Sequence, residues 1–180
     1  SGFSGASVVL DPRDGAVLSF GGLELPDELG ALDIGTRVTF ETTWKSANGL
    51  PIARLERADH IVNGAGLLRL NGETPTNWQT HERLVPETFI NARHPRTVIG
   101  VDRQGFIWLV AIDGRQSDYS IGMNFADLLR LCDRLELRDA LNLDGGGSTT
   151  MVVRGKVVNR PSDATGPRAV SDAILVKGRD

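Results

Sequence analysis

Ala140-Leu141-Asn142-Leu143-Asp144-Gly145-Gly146-Gly147-Ser148-Thr149-Thr150 is the stretch on which the reading of the fold turns. An apolar run ends in a carboxylate, three glycines follow, and a hydroxyl cluster leads into Met151-Val152-Val153. The residues after the glycines are β-formers rather than the start of a helix. A nucleotide-binding strand-loop-helix unit would need a helix N-terminus here to hold phosphate. Glycine permits positive φ and close approach of other groups, and three in succession cost conformational entropy that a connecting turn rarely requires. Spacing alone leaves two readings open. One is a Gly-rich hairpin loop in which Asp144 caps a turn. The other is a site, with an acid beside bare amides and hydroxyls that could hold an anion.

Working outward, Arg154-Gly155-Lys156 reads as a turn between strands Thr149–Val153 and Val157–Val158. A polar loop from Asn159 to Arg168 follows, and Ala169–Val176 reads as a last strand. Upstream, a helix is expected over about 125–137. Asn124 is a candidate N-cap with Asp127 three residues on, and Phe125, Leu128, Leu129, Cys132 and Leu135 form one apolar stripe. Cys132 sits on that stripe and reads as a buried core residue. Before the helix, Arg96–Val101 and the apolar run Phe106–Asp113 flank the turn Asp102-Arg103-Gln104-Gly105, and the second run suits a central strand. Residues 71–95 carry three prolines and little periodicity, which indicates a long loop. His60–Asn63, Leu67–Leu70, Ala6–Leu10, Ala16–Phe20 and Thr36–Trp44 read as strands. The pattern is α+β: a largely antiparallel or mixed β-sheet with one long helix (about 125–137) packed on it, and a single domain spanning 1–180.

Bulk properties narrow the function classes. The chain has 180 residues, 40% hydrophobic and 24% charged, enough for a core. Its 20 basic and 23 acidic residues are well mixed, for a net charge of −3, so neither nucleic acid nor an anionic membrane surface is an expected partner. No apolar run approaches the roughly 20 residues of a membrane helix, and no signal peptide opens the chain. A single cysteine excludes an intrachain disulfide, and the three histidines show no paired metal spacing. No metal or other cofactor is expected. Calcium is left open, since acids with Asn142 or Asn159 could bind it, but no spacing argues for it. Ser148 lies outside any GxSxG pattern, so an anion contact suits it better than a nucleophile's role.

The remaining chemistry lies at strand ends. Asp113 and Asp144 each terminate an apolar run, and neighbouring strands would bring both carboxylates to one rim. Paired carboxylates serve glycosyl transfer to water, one as acid or base and one as nucleophile or stabiliser. Arg96, Arg115 and Arg168 occupy comparable edge positions, and a guanidinium suits bidentate recognition of phosphate or carboxylate.

Several segments, in order and spacing, closely resemble the phosphodiester glycosidase family over about residues 90–176. They are His94-Pro95-Arg96-Thr97-Val98-Ile99-Gly100, Asp113-Gly114-Arg115-Gln116, Ser120-Ile121-Gly122-Met123, Asn142 to Met151, Val158-Asn159-Arg160-Pro161-Ser162-Asp163, and Arg168 to Ile174. The resemblance implies hydrolysis of a sugar 1-phosphodiester in an envelope or extracellular glycan, by a secreted or periplasmic protein. It implies Asp144 and Asp113 as catalytic carboxylates. Arg96, Thr97, Arg115, Asn142, Gly145, Gly146, Gly147, Ser148, Thr149, Asn159 and Arg168 would contact substrate or its phosphate. A glycan or sugar phosphodiester is thus the expected partner, and a homo-oligomer is left open. The family's Asn-Gly-Gly motif near the domain start has no counterpart here. That absence sets up two alternatives: the C-terminal part of a longer protein, or a non-catalytic glycan- or phosphate-binding module on the same scaffold.

Overall fold

The computed structural model describes residues 27–33, 35–39 and 61–178. The chain divides into two compact units, Ser1–Trp44 and Lys45–Asp180. Within the first, the described residues form one helical turn, α1 (Asp27–Gly30). The second carries β1 (Leu67–Arg69), α2 (Trp78–His81), a π-helical turn (Pro86–Ile90), β2 (Arg96–Asp102), β3 (Ile107–Ile112), α3 (Phe125–Arg134) and β4 (Leu137–Asn142). A 3-10 turn (Gly146–Ser148) and the short strands β5 (Val152–Val153) and β6 (Lys156–Val157) complete it.

Four strands form one sheet in the order β1-β4-β2-β3, with every pairing antiparallel. β2 alternates in burial: Arg96, Val98, Gly100 and Asp102 are buried, and the residues between them are half-buried. Gly100 has a packing reason, because a Cβ there would lie 2.8 Å from the Leu137 side chain. The β2–β3 turn is fastened by Asp102. One carboxylate oxygen accepts from the amides of Gln104 and Phe106, both at 2.9 Å, and the other from the Trp108 indole at 2.9 Å. The indole bond, aided by the backbone amides, holds the Asp102 pKa below the usual carboxylate value.

The apolar stripe of α3 packs on one face of this sheet, across β1 and β4. Leu68, Val98, Phe125, Leu128, Cys132, Leu137 and Ala140 form the buried core. Burial pushes the Cys132 thiol up to about 11, consistent with a packing role. Asn124 and Asp127 form a complete capping box at the start of α3. Residues 71–95, expected as loop, contribute the two short helical turns, and these carry aromatic wedges to the helix. Trp78 and Phe89 meet the Phe125 ring edge-on at 5.0 and 5.7 Å between centroids. The Glu82 carboxylate accepts from the amides of Gly66 and Leu67, tying this segment to β1.

Several expectations are corrected. α3 ends at Arg134, not Leu137, because Glu136 takes a left-handed φ of 52° and the chain turns directly into β4. The Phe106–Asp113 run forms the edge of the described sheet rather than its centre, with Phe106 and Ile107 exposed. An apolar run and a central position are therefore not equivalent. The 149–158 hairpin shrinks to β5 and β6, because Gly146 turns the chain at φ 62° and Thr149 caps the 3-10 turn instead of opening a strand. Arg154 and Gly155, with φ of 50° and 75°, form the tight turn between them. Ala169–Val176 makes no strand, and Leu175 and Val176 are exposed. Among the described residues Thr36–Thr39 and Ile61–Asn63 pair with no strand, while Ala6–Leu10, Ala16–Phe20, residues 40–44 and His60 lie outside the described residues.

Two measurements test these anchors. Asn124→Ala is expected to lower stability by about 1 kcal/mol in urea unfolding. Asp102 has a folded pKa below its unfolded one, so its ionised form stabilises the fold above about pH 4, the ordinary carboxylate value. That contribution fades as pH falls through the folded value. The stability deficit of Asp102→Asn should therefore shrink on acidification; a deficit that grew would contradict the assignment.

Candidate active site

β3 and β4 both run antiparallel to β2, so their C-terminal ends flank the N-terminal end of β2. Arg96 pairs with Ile112 on one side, and Val98 with Asn142 on the other. Asp113 and Asp144 follow those two ends. They reach one rim with β2 between them, not on adjacent strands. Both Asp-Gly turns close on Pro95. A Cβ on Gly114 would lie 2.6 Å from the Pro95 nitrogen, and one on Gly145 would lie 2.6 Å from the Pro95 carbonyl oxygen. That carbonyl also accepts a hydrogen bond from the Gly146 amide at 3.0 Å.

The 3-10 turn after Asp144 carries two guanidinium groups on its bare face. The Arg115 guanidinium lies within about 3.3 Å of where a Gly146 Cβ would stand, and a Cβ on Gly147 would overlap the Arg168 and Asp163 side chains. Arg115 itself holds a left-handed φ of 58°, a conformation that costs a non-glycine residue energy and recurs at functional positions. Arg168 is aimed by Asp163, which accepts from Nε at 2.8 Å and Nη2 at 3.1 Å. Beneath the turn, buried Thr149 accepts a hydrogen bond from the Thr97 hydroxyl at 3.2 Å. Ser148 is half-buried beside it.

The two carboxylates differ in how fully they are engaged. One Asp113 oxygen accepts from Asn159 Nδ2 at 2.9 Å, and both oxygens lie 3.0 Å from the Arg160 amide. Asn159 also donates to the Thr149 carbonyl and accepts from the Met151 amide. Asp113 thus clamps the 159–160 segment to the rim. Asp144 is exposed and, among the described residues, accepts only from the amide of its neighbour Gly145, at 2.8 Å.

Arg96 does not present its guanidinium to this rim. It is 2% exposed, and it donates to the carbonyls of Met123 at 3.0 Å, Phe89 at 2.5 Å and Ala92 at 3.1 Å. The group also stacks over Phe89 and Phe125 at 4.8 and 5.1 Å. Burial, with Arg115 adding repulsion, lowers its pKa to about 10, so it stays charged at neutral pH. The Asn142 amide is similarly inward, donating to the carbonyls of Ala65 and Leu143. Arg96 thus spends its donors on backbone carbonyls, whereas Asn142 spends only its amide nitrogen, and its buried Oδ1 has no hydrogen-bond partner among the described residues.

A family model for phosphodiester glycosidases matches residues 10–177. The chain belongs to this family. Bovine and human N-acetylglucosamine-1-phosphodiester alpha-N-acetylglucosaminidase are 34% and 35% identical to it over 94 residues, 49% of this chain. That segment spans 18% of the length of either relative. The SPbeta prophage-derived protein YomE of Bacillus subtilis is 36% identical over 51% of this chain and 14% of its own. Among solved structures, the catalytic domain of the zebrafish enzyme, auto-inhibited by its pro-peptide, is 30% identical with a TM-score of 0.49. It covers 60% of this chain and 39% of that one. A putative exported protein of Burkholderia pseudomallei is 48% identical with a TM-score of 0.44, over 46% and 16%.

Sequence alone assigned no role to Asp163 or His94. Asp163 closes the Val158–Asp163 segment of the family resemblance without a role there, and only folding sets it on Arg168. His94 lay inside a segment of the family resemblance without a role, and its ring meets Arg115. Among the described residues, no group of three or more His, Cys, Asp or Glu could hold a metal ion, and no helix is long and apolar enough to cross a membrane. Depressions of about 220 and 330 Å³ lie over Leu67, Ile99 and Leu141 and between Arg93, Met123 and Arg130. Neither is lined by Asp113, Asp144, Arg115 or Arg168, so we place the site by its side-chain chemistry rather than by surface concavity. Arg96→Ala is expected to cost about 3 kcal/mol or more in urea unfolding, since three part-buried carbonyls lose their donor and a cavity opens around the buried side chain. A loss below about 1 kcal/mol would argue against the scaffold role.

Proposed function

We propose that this chain hydrolyses the glycosyl–phosphate bond of a sugar 1-phosphodiester in an envelope or extracellular glycan. The observation that carries the reading is the pair of guanidinium groups, Arg115 and Arg168, seated on Gly146 and Gly147 directly after the exposed Asp144. Two cations within one turn of a free carboxylate suit a substrate with an anionic leaving group next to a centre that becomes positive.

In this reading the phosphodiester spans the two arginines, and the anomeric carbon lies toward Asp144. The bond from that carbon to the phosphate oxygen breaks, and its electron pair leaves with the phosphate. Water supplies the new oxygen, and its proton passes to solvent or to the released phosphomonoester. A phosphate departs readily, so acid assistance is secondary; neutralising its charge and stabilising an oxocarbenium-like carbon matter more. Asp144 is assigned to the carbon, as nucleophile, base or stabilising charge. Asp113, already bonded through both oxygens, holds Asn159 and the Arg160 amide at the rim and lends negative charge. The arginines carry the neutralisation, so the reaction needs no cofactor. Ser148, Thr149 and the glycine amides complete the anion contacts.

The mammalian relatives are named for N-acetylglucosamine 1-phosphodiesters, which makes that sugar the first to assay. With a synthetic N-acetylglucosamine 1-phosphodiester, Asp144→Asn is expected to lower turnover by about a hundredfold or more. Equal turnover by both proteins would remove Asp144 from the chemistry. Tight binding with no turnover by the wild type would replace the enzyme with a glycan- or phosphate-binding module.

A further inference from the structure

The His94 ring joins two groups that fix its proton. Nε2 lies 2.8 Å from the Thr88 carbonyl oxygen, and Nδ1 lies 3.3 Å from Arg115 Nη2. A carbonyl only accepts, so Nε2 must carry the hydrogen. In a neutral ring Nδ1 is then a bare lone pair, which is what an arginine N–H needs. The backbone of His94 is pinned as well. It exchanges two hydrogen bonds with Met123, at 3.2 and 3.0 Å, and Gly122 lies so close that a Cβ would overlap the His94 carbonyl. A ring this firmly placed can orient a guanidinium that would otherwise swing on an exposed side chain.

We propose that His94, as its Nε2–H tautomer, is a positioning residue that holds Arg115 over Gly146 for the substrate phosphate. The inference rests on the anion-binding reading of Arg115 given above. Among the acids at the rim, Asp113 accepts from Asn159 and the Arg160 amide and Asp163 from Arg168, so neither takes the place of the ring at Arg115. Of the flanking arginines, Arg93 pairs with Asp127 and Arg96 is turned to backbone carbonyls.

The test is the dissociation constant of UDP-N-acetylglucosamine at a single neutral pH. In His94→Asn the amide oxygen takes the place of Nδ1 as acceptor, so binding should stay near the wild-type value. His94→Phe offers no acceptor and should bind about fivefold more weakly, the worth of roughly one hydrogen bond. If thermal melting shows that the Phe variant has unfolded, the Asn variant decides, and binding by a folded His94→Asn as weak as that of Arg115→Ala overturns the inference. Wild-type affinity in a folded His94→Phe overturns it as well. Arg115→Ala separates the two readings. If it binds as tightly as the wild type, the anion role of Arg115 fails; if it binds weakly while His94→Phe does not, only the His94 inference fails.

Discussion

Two chain turns share the backbone of one residue. Gly114 and Gly145 lie against opposite sides of Pro95, at distances where a methyl group would have to displace backbone atoms. A flexible side chain can move aside, but a peptide plane in a sheet cannot, so both positions exclude a Cβ. This close approach brings the ends of β3 and β4 together around the start of β2, and it places Asp113 and Asp144 at one rim. The 3-10 turn inherits its position from the same contact, through the bond from the Gly146 amide to the Pro95 carbonyl.

Arg96, the next residue, secures that point from below. Its guanidinium gathers carbonyls from residues 89, 92 and 123 and stacks on two rings of the core. A buried charge with so many donors is costly unless each is met, and here the loop carbonyls and the ring faces meet them. The arrangement divides labour among three arginines that look alike in sequence. Arg96 faces inward and organises the loops, whereas Arg115 and Arg168 face the glycine turn. A similar division separates the acids: Asp113 is a clamp for the 159–160 segment, and Asp144 is left exposed.

The chemistry proposed for the rim follows from this asymmetry. Anion recognition needs cations whose direction is set before the ligand arrives, since ordering a long side chain on binding costs entropy. Asp163 supplies that direction for Arg168 through two hydrogen bonds, and for Arg115 the His94 ring and the left-handed backbone of Arg115 itself supply it. Bare glycines beneath both guanidinium groups let them lie close to the amides of the turn.

Local sequence determined what depends on local physics. The capped amphipathic helix, the Asp102–Gly105 turn and the antiparallel character of the sheet were legible, because periodicity, capping and turn chemistry act over a few residues. The Asp-Gly pairs were legible as strand ends, and the order of segments carried the family. Sequence reasoning failed where identity of position depended on distant neighbours. Phe106–Asp113 is apolar enough for a sheet centre yet lies on its edge, Ala169–Val176 has strand composition without a partner strand among the described residues, and Arg96 resembles its two fellow arginines until Phe89, Ala92 and Met123 surround it. Only the tertiary structure decided which arginines face the rim, which acid is free, and that His94 and Asp163 aim the cations. Those roles arise from contacts between residues far apart in the chain, and a hydrogen bond across that separation leaves no periodic trace in either segment.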